Sequence, residues 1–255
     1  MLVDSHCHID AERFEADRAE MLARARAAGV ARFVTIGCDE DNSRRALGLA
    51  ATHADMYASV GVHPHEAEKA SEGFDEVLLS LARHPRAVAI GECGLDYYYD
   101  HSPRQRQREV FATQIAVAKQ AKKPLVVHVR DAWDECLELL EHEGARDAGG
   151  VIHCFSGDWA FGKACLDLGF YLSIPGIVTF KNPGALPEVI DKAPFDRLLV
   201  ETDSPYLAPA PYRGKRNEPA YVVEVARKVA ELKGASYDEV VARTGHNAQA
   251  LFGIK

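Results

Sequence analysis

The chain has 255 residues, 47% hydrophobic and 27% charged, enough for one large globular domain or two small ones. No apolar run approaches the ~20 residues that span a bilayer, and the first residues lack the basic start and apolar stretch of a secretory signal, so a cytoplasmic protein without membrane contact is expected. A formal net charge of −8 excludes bulk electrostatic adhesion to nucleic acid or anionic lipid and leaves only local basic patches.

The first extended run, 2–6, leads into "HCHID", where alternation puts His6 and His8 on one face and turns Cys7 to the other. A helical segment over 12–28 carries Phe14, Met21, Leu22 and Ala25 at helical spacing and stops at Gly29. Runs at 32–37 and 57–62 flank a helix over 43–54, and the second leads into "GVHPH" with His63 and His65. After a helix over 74–84, run 87–91 ends in "GECGLD" with Glu92. A helix over 103–122 carries Arg104, Arg106 and Arg108, which read as a solvated face. Run 124–129, "PLVVHVR", brings His128 and Arg130. A helix over 132–143 precedes run 150–155, which carries His153, and a helix over 158–168 precedes run 170–174. A helix over 185–192 precedes run 197–202, "LLVETDSP", with Glu201 and Asp203. The helix over 219–233 begins with Pro219, and "SYDE" offers a capping box from Ser236 to Glu239 for a last helix.

Eight strand-then-helix units in a chain of this length have the rhythm of an α/β TIM (β/α)8 barrel, with a doubly wound open sheet as the alternative. No Gly-rich linker or change of composition divides the chain, so a single domain over 1–255 is expected. Six scattered cysteines without a C-x-x-C pair suggest neither a disulfide framework nor a zinc knuckle; most read as small buried apolar residues.

Ionisable residues fall at the same end of six of the eight runs, the end at which barrels of this kind carry their chemistry. Any one of them has a bland reading, His128 as a hydrogen-bonded core histidine or Glu92 as a capping carboxylate. Packed together without a cation they would suffer desolvation and mutual repulsion, which a metal centre removes. His6, His8, His128, His153, Glu92 and Asp203 suffice for two divalent cations, with Glu92 as the bridge because its run lies midway between the others.

These segments carry a resemblance. "LVDSHCHID", "GVHPH", "IGECGLDYY", "PLVVHVRDAWDE", "HCFSG" and "LLVETDSPYLAP", followed by "YRGKRNEP", resemble the TatD-type metal-dependent deoxyribonucleases, in that family's order and across essentially the whole chain. The resemblance implies a TIM barrel, a divalent-metal centre and hydrolysis of DNA, usually from a 3′ end. Position by position it makes His6, His8, Glu92, His128, His153 and Asp203 the metal ligands. Tyr99 stands where many relatives carry a basic residue.

The roles expected follow from this site. Two cations would acidify a water and clamp phosphate oxygens, with Asp203 accepting the proton and Glu201 orienting that water, helping to hold an extra cation during turnover, or only supporting a histidine ligand. Histidine-rich ligation favours zinc, manganese or similar ions, while magnesium prefers an oxygen shell; two divalent ions are expected, with zinc, manganese and magnesium all left open. His63 and Arg130 are expected at the substrate, and Lys181, Arg213, Lys215 and Arg216 would rim the pocket and pair with phosphates. Tyr97 to Tyr99 either stack a base or pack the loop. The expected partner is single-stranded DNA with a 3′ end, the expected state a monomer. Two other readings are an ester or amide hydrolase, for example one removing D-amino acids from tRNA, and a metal-binding scaffold without turnover.

Overall fold

The computed structural model describes residues 1–255. Its eight strands are β1 (Leu2–Cys7), β2 (Val30–Thr35), β3 (Met56–Val60), β4 (Ala87–Asp96), β5 (Leu125–Arg130), β6 (Gly150–Ile152), β7 (Tyr171–Ile174) and β8 (Leu198–Val200). They form one sheet in the order β1 to β8, and every described strand pair is parallel. Helices alternate with them: α1 (Arg18–Ala27), α2 (Glu40–Thr52), α3 (Phe74–Ala82), α4 (Arg104–Ala121), α5 (Trp133–His142), α6 (Trp159–Asp167), α7 (Leu186–Lys192) and α8 (Val222–Lys233), with α9 (Tyr237–Phe252) added at the end. The fold is the TIM barrel expected, and the open-sheet alternative is excluded. No helix is long and apolar enough to cross a membrane.

Several boundaries differ from those read in the sequence; β8, for one, ends at Val200 rather than at 202, so Glu201 stands beyond it. The first helical segment breaks into a 3-10 turn, Glu12–Phe14, before α1 begins. β6 ends at Ile152, so His153 stands just beyond it. β4 runs on to Asp96 because Gly91 and Gly94 take φ of 142° and 129°. A Cβ at Gly91 would lie 2.5 Å from the Val126 carbonyl, and one at Gly94 would strike that of His128. Only glycine lets β4 lie this close to β5 there.

The chain divides into two compact units. The first comprises Met1–Thr35, Cys154–Lys163 and Leu172–Lys255. In it β7 pairs with β8 and β1 with β2, and the end of β1 meets the segment after β8: Asp203 N–H donates to the His6 carbonyl at 2.9 Å and His8 N–H to that of Ser204 at 2.8 Å. Beneath this seam Asp4, fully buried, accepts from Thr202 N–H at 2.9 Å and from its hydroxyl at 2.6 Å. Burial pushes the Asp4 carboxyl up to about 8 against those hydrogen bonds. Ser236 caps α9 by accepting from Glu239 N–H at 3.1 Å, as its motif predicts.

The second unit, Ile36–His153 with Ala164–Tyr171, holds β3 to β6. Its strands are built from Ala58, Val60, Ala89, Ile90, Val126, Val127 and Ile152, all buried, as suits parallel strands covered on both faces. Four cysteines (Cys7, Cys93, Cys136, Cys165) are buried and none of the six forms a disulfide, in keeping with the reading of most of them as apolar packing.

One basic patch is corrected. Arg216 is not held out for phosphate: it pairs with Asp17 at 2.7 Å and Glu218 at 3.0 Å, while Arg24 pairs with the same two carboxylates at 3.0 and 2.8 Å. The guanidinium groups of Arg216 and Arg24 hold Asp17 well below the usual carboxylate range; burial pushes Glu218 up, but its two arginines outweigh that and lower it. Depressed carboxylates stabilise the fold above their unfolded pKa of about 4 and lose that contribution as pH falls through the folded value. Arg216→Ala is therefore expected to cost about 1 kcal/mol at pH 7, screening by solvent included. The urea midpoints of parent and variant should draw together progressively below about pH 4, meeting only once pH has passed the depressed folded values; a gap of constant size through that acid range would locate the effect in packing. The other patch is as expected a helix face, with Arg104, Arg106 and Arg108 paired to Asp100, Glu109 and Glu135.

Candidate metal centre

Two groups of side chains gather at the C-terminal ends of the strands, one in each unit. In the first unit His6 and His8 leave β1 on the same face, while Cys7 turns away and its thiol meets the Val34 carbonyl at 3.4 Å. Both imidazoles converge on one oxygen of Asp203, with Nε2 of His6 and His8 3.6 and 3.3 Å from Oδ1. Asp203 sits at a φ of 54°, a left-handed conformation that aspartate and asparagine tolerate best among residues with a side chain. Glu201, fully buried, accepts from Cys154 N–H at 2.7 Å, and so holds the turn after β6, where Cys154 takes a φ of 45°.

In the second unit three imidazoles converge on Oε1 of Glu92: His153 Nε2 at 2.9 Å, His128 Nδ1 at 3.2 Å and His63 Nε2 at 3.3 Å. Glu92 is nearly fully buried, and the irregular register between Ile90 and Cys93 is what aims it inward. His128 faces a second carboxylate with its other nitrogen, Nε2 lying 3.1 Å from Asp96 Oδ2. The same oxygen meets His65 Nε2 at 2.8 Å.

These spacings suit a divalent cation. Ligands about 2.1 Å from a metal stand about 3.0–3.4 Å from one another in tetrahedral or octahedral geometry. The separations in both groups lie in or near that range: 2.9 and 3.2 Å from Glu92 to His153 and His128, and 3.3 and 3.6 Å from Asp203 to His8 and His6. His128 adds a chemical reason. With its one proton donated from Nε2 to Asp96, its Nδ1 lone pair faces the Glu92 Oε1 lone pairs 3.2 Å away. A cation or an added proton relieves that arrangement. Burial pushes the His128 pKa down, but the hydrogen bonds to Asp96 and Glu92 outweigh it and hold it above the ordinary value. The residues present fit a metal.

The comparisons with known proteins agree. The sequence model of the TatD related DNase family matches residues 3–253. The chain belongs to the TatD family. Like other members it is a metal-dependent hydrolase. It is 44% identical to the uncharacterized metal-dependent hydrolase YabD of Bacillus subtilis, over 100% of both chains. It is 37% identical to the 3′-5′ ssDNA/RNA exonuclease TatD of Klebsiella pneumoniae, over 99% of this chain and 98% of that one. Among solved structures, the TatD homologue YjjV of Escherichia coli superposes with a TM-score of 0.94 at 30% identity, over 100% of this chain and 98% of that one.

Against this TatD framework His63 takes a defined place. Its Nδ1 accepts from His65 N–H at 3.1 Å, and burial first, with the neighbouring histidines, lowers its pKa to about 4 despite Glu92. A neutral His63 therefore carries its proton on Nε2 and donates it to Glu92, which leaves no lone pair there for a cation.

Sequence reasoning passed over Asp96. Burial would raise it, yet the hydrogen bonds from His128 and His65 and from Tyr99 N–H hold it well below the usual carboxylate range. The signal was present, since Asp96 stands four positions after Glu92 and so on the same strand face, but the run was expected to stop at residue 91.

The expected substrate residues spread over the loops. Arg130, exposed at the end of β5, lies over the rings of Tyr98 and Tyr99 at 4.1 and 5.0 Å. Arg213 lies over Phe180 at 3.7 Å and donates to the Ala208 carbonyl at 3.1 Å, which joins the loops after β7 and β8. Lys181 and Lys215 are exposed on those same two loops.

Proposed function

We propose that the protein removes nucleotides from the 3′ end of single-stranded DNA, working as one catalytic domain over 1–255. His6, His8, His128, His153, Glu92 and Asp203 would hold two divalent cations, with Glu92 shared between them, and zinc, manganese or magnesium as the ion. The observation that carries this reading is the convergence of imidazole nitrogens on single carboxylate oxygens, at Glu92 and again at Asp203. The nuclease activity is supported by the name of the Klebsiella relative.

When bound, such cations lower the pKa of water and neutralise charge on phosphate oxygens. The chain's own groups do the rest. Asp203 takes the proton of the attacking water, since its oxygen is a carboxylate at the edge of the site. Glu92, accepting a hydrogen bond from His63 Nε2–H, keeps its orientation while its charge stays available for cations. Asp96 holds His128 with Nδ1 toward Glu92. Glu201 keeps the turn after β6 in place by accepting from Cys154 N–H. Arg213, Lys215, Lys181 and Arg130 bind phosphates along the strand.

The test is one assay panel on metal-free and metal-restored protein with 3′- and 5′-labelled single-stranded DNA, RNA and an aminoacyl-tRNA. The reading expects metal-dependent shortening of DNA from the 3′ end. Release of the amino acid with intact nucleic acid would replace it by ester hydrolysis, and binding without turnover would leave a scaffold.

The basic loop gives a second check. In a chain of net charge −8, productive DNA binding depends on few local cations. Arg213→Ala and Lys215→Ala are expected to raise the DNA KM and to flatten its salt dependence by about one unit of slope or less each. Metal content and turnover of a small neutral ester should not change. Equal loss of the small substrate would show that the loop supports the metal centre instead.

A further inference from the structure

The loop that follows β4 presents two large aromatic rings to solvent from a backbone with little freedom. Tyr98 and Tyr99 are 57% and 50% exposed, among the few large hydrophobic side chains left outside the core. Tyr97, their neighbour, is buried, with its hydroxyl donating to Glu135 at 2.9 Å. The loop is pinned from below. Asp96 Oδ1 accepts from Tyr98 N–H at 3.0 Å and from Tyr99 N–H at 2.9 Å. Gln107, fully buried, accepts from Asp96 N–H at 2.8 Å and donates to the Ser102 carbonyl at 2.8 Å. Exposed tyrosines on a fixed backbone are not packing residues that failed to find a core. Nor is the cluster purely apolar: the Arg130 guanidinium covers both rings, and the His101 ring stacks on Tyr99 at 5.5 Å.

We infer that Tyr98, Tyr99 and Arg130 form a stacking subsite for a nucleobase of single-stranded nucleic acid, set at a fixed distance from His128 by Asp96. One carboxylate makes both connections, Oδ1 to the tyrosine backbone and Oδ2 to His128. Base stacking accepts any π-face and so tolerates any sequence, while Arg130 supplies the positive charge for the adjoining phosphate that a net-negative chain otherwise lacks. Because the loop is ordered before substrate arrives, little conformational freedom is lost on binding. The inference deepens the nuclease reading and rests on it for the substrate class.

The experiment uses the metal-loaded full chain and a short single-stranded DNA with a non-hydrolysable 3′-terminal linkage and a 2-aminopurine near that end, whose fluorescence is quenched by stacking. The parent should bind it with quenching. Tyr98→Ala with Tyr99→Ala should abolish the quenching and raise Kd about tenfold, while Tyr98→Phe with Tyr99→Phe keeps both, since the rings and not the hydroxyls do the stacking. Replacing the probe base by an abasic site should weaken binding to the parent about as much and leave the alanine variant unaffected. Unchanged quenching and Kd in the alanine variant, or an abasic strand bound as tightly as the intact one, overturns the subsite. The two readings fail separately: quenched binding without cleavage of any nucleic acid retains the subsite and removes the nuclease, whereas cleavage without quenching does the reverse. No binding at all removes both.

Discussion

Glu92→Gln is expected to lower turnover by roughly 10²–10³-fold or more, the scale on which loss of one charge-stabilising group registers in a buried site, and to weaken metal retention, with the barrel still folded. The substitution keeps the shape of the side chain and removes its charge. Three imidazole nitrogens lie within 3.3 Å of Glu92 Oε1, so no other carboxylate in this group takes its place; Asp96 already accepts from His128, His65 and two backbone N–H groups. Metal content measured on dialysed protein, thermal melting and turnover at saturating metal separate the three effects. Near-normal turnover at saturating metal would remove Glu92 from the bridging position, and a collapsed melting transition would make it a folding residue.

Asp203→Asn is expected to cost turnover on the same scale, for a different reason. An amide neither accepts the proton of the attacking water nor offers His6 and His8 a charged partner, which here lies 3.6 and 3.3 Å from them. Asparagine is the informative replacement because the backbone is left-handed at this position, a conformation that asparagine tolerates and alanine does not, at about 1–2 kcal/mol. Stability should therefore hold while the pH–rate profile loses its acidic limb. An unchanged acidic limb would mean that another group takes the proton.

The candidate site was legible where chemistry and strand period coincide. His6 and His8 announce themselves because a strand alternates its side chains, and the pair does meet one carboxylate. Glu92, His128 and His153 were found from their places at strand ends, and they do converge. Asp96 was missed because two glycines with positive φ carry β4 five residues beyond its apolar run, and an apolar run was the signal used. "RGKR" shows the opposite error. Three basic residues that read alike divide in space: Arg213 lies on Phe180 and Lys215 is exposed, while Arg216 is committed to Asp17 and Glu218.

The sequence alone determined the alternation of strands and helices, the Ser236 cap, and which residue types stand at the strand ends, since each depends on neighbours a few positions away and on the fixed periods of strand and helix. Only the tertiary structure decided which of those groups share a carboxylate, which arginine of the last loop is paired, and which tyrosine of 97–99 is buried. Those outcomes depend on partners far along the chain, as Arg216 and Asp17 are, 199 residues apart. Protonation and pairing are settled by the local field and hydrogen-bond geometry that such partners create, and neither exists until the barrel brings them together.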